Sequence, residues 1–142
     1  MSCFDSDAAV ERIGRGLLDR SLPKAEWTHA AHFAAAFWLL RQPDMDPMRD
    51  LPGLIRDYNE ATGVANTDSG GYHETITVAS LRAARAWLNI TPSAPLHRVL
   101  NELLLSKYGR SDWLLAYWSK AVLFSVAARR AWVEPDLRPL PF

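Results

Sequence analysis

Residues 28–41, THAAHFAAAFWLLR, decide the fold class of this chain. Nearly every side chain over residues 30–40 is apolar, so a helix formed here would be apolar on all its faces and would lie inside the protein. Thr28 is a suitable N-cap, because its hydroxyl can accept a backbone N–H of the first turn. Pro43 cannot continue the helix. The segment therefore predicts a central, buried helix around which other elements pack.

The rest of the chain carries helical patterns and almost no strand pattern. Apolar residues recur at helical spacing in several further stretches. These stretches predict helices over residues 6–19, 47–62, 74–88, 95–108, 112–118 (capped by Ser111) and, in one or two pieces, within 120–132. The proline-rich residues 134–142 are expected to be extended and to lie over the bundle. We therefore expect one all-α domain over residues 1–142, a compact bundle of about five to seven helices with an extended C-terminal tail.

Composition excludes several classes of protein. The 142 residues include 16 basic and 16 acidic side chains, without the basic patch by which nucleic-acid-binding proteins contact phosphates. Cys3 is the single cysteine, which excludes an internal disulfide and a cysteine metal cluster. The longest apolar stretch, residues 33–40, is too short to cross a bilayer, and Asp5, Asp7 and Glu11 interrupt any signal segment. We expect a cytoplasmic protein that binds neither nucleic acid nor membrane.

Three of the four histidines are predicted to share one buried site. His29 and His32 are three residues apart, so they lie on the same helix face with roughly 5–6 Å between their Cβ atoms. His73 immediately precedes the helix over residues 74–88, on the line of its inward face. Three neutral imidazoles with an open position form the ligand set of a catalytic zinc site, and imidazole also suits iron and nickel. We expect one divalent transition metal (Zn, Fe or Ni) there, with Glu74 as general base or as the group that orients a ligand.

Polar and aromatic residues cluster in sequence around these histidines. They are predicted to bind a polar small molecule, and two converging helix N-termini would favour an anionic one. The predicted ligand-binding residues are Trp27, Tyr58, Asn59, Asn66, Thr67, Tyr72 and Thr77. His97 lies among polar neighbours and is left out of the site.

Two other hypotheses remain open at this level. The chain could be a metal-free ligand-binding or sensing module, in which the polar loop over residues 64–73 closes over a metabolite. It could instead be a structural partner protein without a catalytic role, with an exposed aromatic patch formed by Trp113, Trp118, Trp132 and Phe142. The sequence also allows a homodimer, and it does not decide whether the protein is an enzyme.

Two segments resemble a recurring pattern. WTHAAHF at residues 27–33 and GYHETIT at residues 71–77 are similar to segments of a family of small bacterial helical proteins of uncharacterised function. The resemblance extends over most of the chain, and the second segment is the more specific. It implies that the two histidine-bearing segments occur together, and it implies no particular activity. A looser similarity to three-histidine, DNA-damage-inducible hydrolase-like bundles is limited, because their histidines lie on several long helices whereas two here share one turn.

Overall fold

The computed structural model describes residues 4–142, and over that range it contains seven α-helices, three short 3-10 helices and no strand. The α-helices are α1 (Asp7–Leu18), α2 (His29–Leu40), α3 (Pro47–Ala61), α4 (Glu74–Ile90), α5 (Leu96–Leu105), α6 (Lys120–Leu123) and α7 (Val126–Arg130). The 3-10 helices are Lys24–Glu26, Lys107–Gly109 and Trp113–Ala116. The prediction of a compact all-α bundle is confirmed. Cys3 lies outside the described residues.

Helix α2 is the centre of the bundle, as its apolar sequence predicts. Eight of its side chains are buried, and it packs against α1, α3, α4 and α5. The Thr28 hydroxyl accepts the backbone N–H of Ala31 and so caps the helix. Helix α1 approaches α2 closely at Gly14, where an added Cβ would collide with the Trp38 ring.

Two of the predicted helices, 95–108 and 112–118, differ clearly from the elements in the structure. Helix α5 ends at Leu105 because the Ser106 hydroxyl accepts the backbone N–H of Tyr108 and thereby starts a 3-10 turn. The prediction that Ser111 caps a helix over residues 112–118 is wrong. That segment holds only the 3-10 helix Trp113–Ala116, which has no side-chain cap.

The C-terminal tail is extended and packs on the bundle. The Leu137 N–H donates to the carbonyl of Tyr117, and an Arg82 guanidinium nitrogen donates to the carbonyl of Phe142. Trp113 is 4% exposed and Trp118 is fully buried. The predicted exposed aromatic patch is therefore wrong, because two of its members belong to the core.

The loop between α3 and α4 is held by one asparagine. The Asn66 side-chain oxygen accepts from the Asn59 amide and from the Tyr72 N–H, and its nitrogen donates to the Arg56 carbonyl. Gly71 has a φ of +78°, and a Cβ there would lie 2.6 Å from the Asn66 side-chain oxygen. Separately, none of the helices described combines the length and hydropathy needed to cross a membrane.

Candidate functional site

A cavity of about 300 Å³ lies beside the first turn of α2. Its wall is mainly apolar and comes from α2, α3, α4 and the segment after α5. The lining residues are Trp27, His29, His32, Phe33, Ala36, Leu51, Ile55, Ile76, Thr77, Ser80, Leu81, Ser111 and Leu114. Because α2 is apolar on every side, the face that neighbouring helices leave uncovered becomes the cavity wall.

His29 presents one free ring nitrogen in this cavity wall. Its Nε2 lies 2.9 Å from the carbonyl oxygen of Tyr108. A carbonyl only accepts hydrogen bonds, so Nε2 carries a proton, and in the neutral ring Nδ1 keeps a lone pair. Among the described residues, no hydrogen-bond partner is found for that Nδ1. The ring packs edge-on against Phe33, with the two ring centroids 5.3 Å apart.

His32 is held in the opposite tautomer. Its Nδ1 donates to the Thr28 carbonyl at 2.8 Å, which leaves Nε2 as an acceptor without a partner in the described part of the chain. The ring stacks on Trp27, with 3.9 Å between the ring centroids. Helical geometry explains the Thr28 contact, because residues four apart lie on the same side of the helix.

His32 is neutral at physiological pH. Desolvation by the surrounding protein is the main cause that lowers its pKa to about 4, and the nearby His29 lowers it further. By area the side chain remains exposed, and it lines the walls of both cavities. The site thus holds a neutral imidazole with a free acceptor nitrogen.

Three hydroxyl side chains, those of Thr77, Ser80 and Ser111, complete the polar part of the wall. Ser80 on α4 and Ser111, which follows the 3-10 turn Lys107–Gly109, both line the cavity. Within residues 4–142, the hydroxyls of Ser80 and Ser111 have no side-chain hydrogen-bond partner. Trp113 Nε1 is the single fully buried side-chain nitrogen or oxygen left unpaired in that range. The serine hydroxyls are therefore accessible from the cavity.

A second cavity of about 380 Å³ adjoins the first. Its lining residues are Trp27, His32, Ile55, Asn59, Val64, Gly71, Tyr72, His73, Ile76, Thr77, Phe124 and Arg129. The side chains that belong to both linings are Trp27, His32, Ile55, Ile76 and Thr77. The two cavities are therefore adjacent compartments with His32 at their boundary.

His73 has a structural role at the start of α4. Its Nδ1 accepts the backbone N–H of Ile76, and its Nε2 donates to the Leu123 carbonyl at 2.7 Å. Burial is the first cause that lowers the pKa of His73, and the positive charge of Arg129 adds to it. Both ring nitrogens are occupied, so His73 has no lone pair available for a ligand.

The predicted metal site of His29, His32 and His73 is wrong. Across residues 4–142, no group of three or more His, Cys, Asp or Glu side chains is arranged to hold a metal ion. The physical reason is that His73 faces the second cavity and uses both nitrogens to cap α4 and to bind α6. Helix periodicity placed His29 and His32 together, but it could not show that the third ring was already satisfied.

Glu74, the predicted general base, lies in neither cavity wall. Its carboxylate accepts the Tyr72 hydroxyl at 2.5 Å. Burial is the main cause that raises the pKa of Tyr72, and the Glu74 carboxylate raises it further. The Arg56 guanidinium lies 4.5 Å from the centroid of the Tyr72 ring. These contacts give Glu74 a place in a local polar network beside the site.

The other predicted ligand-binding residues divide into two groups. Trp27 and Thr77 line both cavities, whereas Asn59 and Tyr72 line the second. The remaining three residues are in neither lining, and each makes contacts of its own. Tyr58 is fully buried and donates to the Leu22 carbonyl, and Asn66 holds the loop as described.

Thr67 forms a turn within that same loop. Its side-chain oxygen accepts the backbone N–H of Ser69, and its own N–H donates to the Gly70 carbonyl. His97, which was left out of the site, pairs with Asp7 at 2.7 Å and connects α5 to α1. Neither residue lines either cavity.

Sequence reasoning missed three polar residues of the two cavities. Neither Ser80 nor Arg129 was predicted as a site residue, and Ser111 was predicted to cap a helix. The helical period of α4 was a usable signal for Ser80. Nothing local marks Ser111 or Arg129, because tertiary packing alone brings them to these walls.

Comparisons with protein-family models, with curated proteins and with solved structures found no match for this chain.

Proposed function

We propose that this protein binds a small molecule with an apolar body and a hydrogen-bond donor in the cavity beside His29 and His32. The supporting observation is the composition of that wall. Apolar side chains from three helices surround free acceptor nitrogens on two imidazoles and the hydroxyls of Ser80 and Ser111. Ligand sites in proteins are typically apolar cavities with a few polar groups that fix the ligand's orientation.

The size of the cavity indicates the size of the ligand. An apolar cavity of ~150 Å³ accommodates benzene, and the cavity here measures about 300 Å³. A body of two fused rings therefore matches the space. The tilted stack of Trp27 on His32 and the edge-on pair of His29 with Phe33 give the wall aromatic surfaces for such a body.

Binding without catalysis is the role that suits His32. A general base is most effective when its pKa lies near the working pH, and the pKa of His32 is lowered to about 4. A neutral imidazole with Nδ1–H bonded to Thr28 is instead a good fixed acceptor through Nε2. The ring would orient a ligand N–H or O–H group without removing its proton.

Calorimetric titration with 2-naphthol tests this proposal. Its two rings match the cavity, and its hydroxyl can donate to His32. At ~0.4 kcal/mol per non-hydrogen atom, the expected dissociation constant is about 1 mM or lower with one site per chain. The absence of saturable binding would contradict the proposal.

A variant that fills the first cavity shows whether 2-naphthol binds there. Ser80→Leu adds bulk to the wall and removes a hydroxyl, so we expect about tenfold or greater loss of affinity for 2-naphthol. Ser93→Leu makes the same replacement at an exposed position outside both cavities and should leave affinity unchanged. Equal binding by the Ser80 variant and the wild type would place the ligand elsewhere.

A further inference from the structure

The second cavity differs from the first in its charge. Among the residues that line the two cavities there is no aspartate or glutamate, and Arg129 is the one side chain with a permanent charge. His32 and His73 also line the second cavity, and their pKa values are both lowered. Counted over their lining side chains, the two adjoining cavities therefore carry net positive charge at neutral pH.

Arg129 is fixed in position and keeps donors free. Its Nη1 donates to the carbonyls of Gly71 and Tyr72 at 3.1 and 3.2 Å. Nε and Nη2 have no hydrogen-bond partner, and no carboxylate forms an ion pair with this side chain within residues 4–142. A guanidinium presents donors in a planar fork that matches a carboxylate.

The neighbouring Arg130 differs from Arg129, because its charge is paired with a carboxylate. It also lies on α7, but it forms a two-pronged ion pair with Asp68 at 2.8 and 2.6 Å and lines neither cavity. The Asp68 carboxylate is thus already used by Arg130. Arg129 remains the cation without a counter-charge at the cavity.

We propose that the natural ligand of this site is a monocarboxylate whose apolar body carries the hydrogen-bond donor. Its apolar body lies in the first cavity, and its carboxylate lies in the second, where the free nitrogens of Arg129 bind it. The ligand crosses from one cavity to the other beside His32 and Thr77, which line both. This inference rests on the proposed function, because it assigns the chemical class of the ligand that the first cavity binds.

Two nearly isosteric probes test the inference on the wild-type protein. 2-Naphthylacetate carries a carboxylate one carbon away from the ring system, and 2-naphthylacetamide replaces the charge by a neutral amide. Hydrogen bonds to charged groups are stronger than neutral ones, so we expect the carboxylate to bind about tenfold or more tightly than the amide. Equal affinities, or tighter binding of the amide, would overturn the inference.

Three variants test whether Arg129 causes the preference for the carboxylate probe over the amide probe. Arg129→Gln should reduce the ratio of the two affinities to about one, whereas Arg129→Lys should keep part of the preference. Arg130→Gln is the matched control on the same helix and should keep the wild-type ratio. An unchanged ratio in a folded Arg129→Gln protein, or its loss in Arg130→Gln, would overturn the assignment. If Arg129→Gln does not fold, Arg129→Lys and the wild-type comparison of the two probes still decide the question.

The outcomes separate this inference from the proposed function. Binding of 2-naphthol with no preference for the carboxylate probe would overturn the inference and leave the proposed function standing. Failure of all three naphthyl probes to bind would overturn both.

Discussion

The two nitrogens of the His32 ring have different surroundings, and this difference determines what the residue can do. Nδ1 is used by the Thr28 carbonyl, so Nε2 is the atom available to a ligand. Phenylalanine at this position would keep a ring stacked on Trp27 but would lack the acceptor.

His32→Phe should therefore weaken binding of 2-naphthol about three- to tenfold, since a net hydrogen bond is worth ~0.5–1.5 kcal/mol. Binding of naphthalene, which has no donor, should hardly change. His97→Phe is the control, because His97 pairs with Asp7 outside the cavities. Titration calorimetry gives the six affinities of the three proteins for the two ligands. Equal losses for both ligands would show that the nitrogen is not the point of contact.

The lowered pKa of His32 also predicts a pH dependence of stability. The folded chain holds this ring neutral down to about pH 4, whereas the unfolded chain protonates it near its ordinary value of 6.5. Between these values the unfolded state binds more protons, so the free energy of unfolding falls as pH falls from 6.5 toward 4. His73, whose pKa is lowered as well, contributes in the same direction.

Urea unfolding at several pH values measures this slope. His32→Phe should have a shallower slope than the wild type between pH 6.5 and 5, above the range where most carboxylates titrate. His97→Phe is the control that tests whether loss of any histidine makes the slope of stability against pH shallower. An identical slope in the His32→Phe and wild-type proteins would contradict the assigned burial of the ring.

His73 has the opposite character, because both of its nitrogens are bonded to backbone. His73→Ala should cost about 2–4 kcal/mol of stability, from loss of the cap and from an unpaired carbonyl at Leu123. His73→Asn keeps a side-chain acceptor for the cap and should cost less. Chemical denaturation measures both values, and a loss below ~0.5 kcal/mol in the alanine variant would refute the capping role.

At the scale of elements, the loop between α3 and α4 depends on two glycines in different ways. Gly63 and Gly71 both have positive φ, at +84° and +78°. A Cβ at Gly63 would meet nothing within 4 Å, whereas one at Gly71 would press on the Ala65 carbonyl and on Asn66. Backbone strain is thus common to both positions, and steric collision is confined to Gly71.

Gly71→Ala should destabilise the protein by at least ~1 kcal/mol more than Gly63→Ala. The glycine-to-alanine cost at positive φ is about 1 kcal/mol in each variant, and the collision adds to it in one of them. Thermal unfolding of the two variants provides the comparison. If both lose the same stability, then the close approach of residues 65, 66 and 71 is not present in solution.

The helices were largely predictable from the sequence, and the reasons are local. Ser6, Thr28 and Pro47 mark the starts of α1, α2 and α3 at the positions where capping preferences place them. The C-terminal third was less predictable, because Ser106 and Ser111 are both residues that cap helices, and local sequence could not show that Ser106 starts a turn.

The candidate site was predictable only in part. The spacing of His29 and His32 correctly puts both rings in one cavity wall. The partners that fix their tautomers include Tyr108, which is 79 residues from His29. Leu123 is likewise 50 residues from His73. Such contacts depend on how the helices pack, so the sequence could not show that His73 was already fully bonded.

At the scale of the whole molecule, the cavities exist because four segments distant in sequence meet at the start of α2. Helices α3 and α4 form the sides, the segment after α5 contributes Ser111 and Leu114, and α7 brings Arg129. Helix α7 also holds the loop through Arg129 and Arg130. The walls of the site are therefore part of the same core that stabilises the fold.

Nuclear magnetic resonance of the complex with 2-naphthol tests the central claim most directly. The account predicts intermolecular Overhauser effects between the naphthyl protons and the methyl groups of Ile55, Ile76, Leu81 and Leu114, which line the first cavity. Contacts confined to surface methyl groups, such as those of Ile90, Leu105 and Leu137, or the absence of any intermolecular contact at saturating ligand, would contradict it.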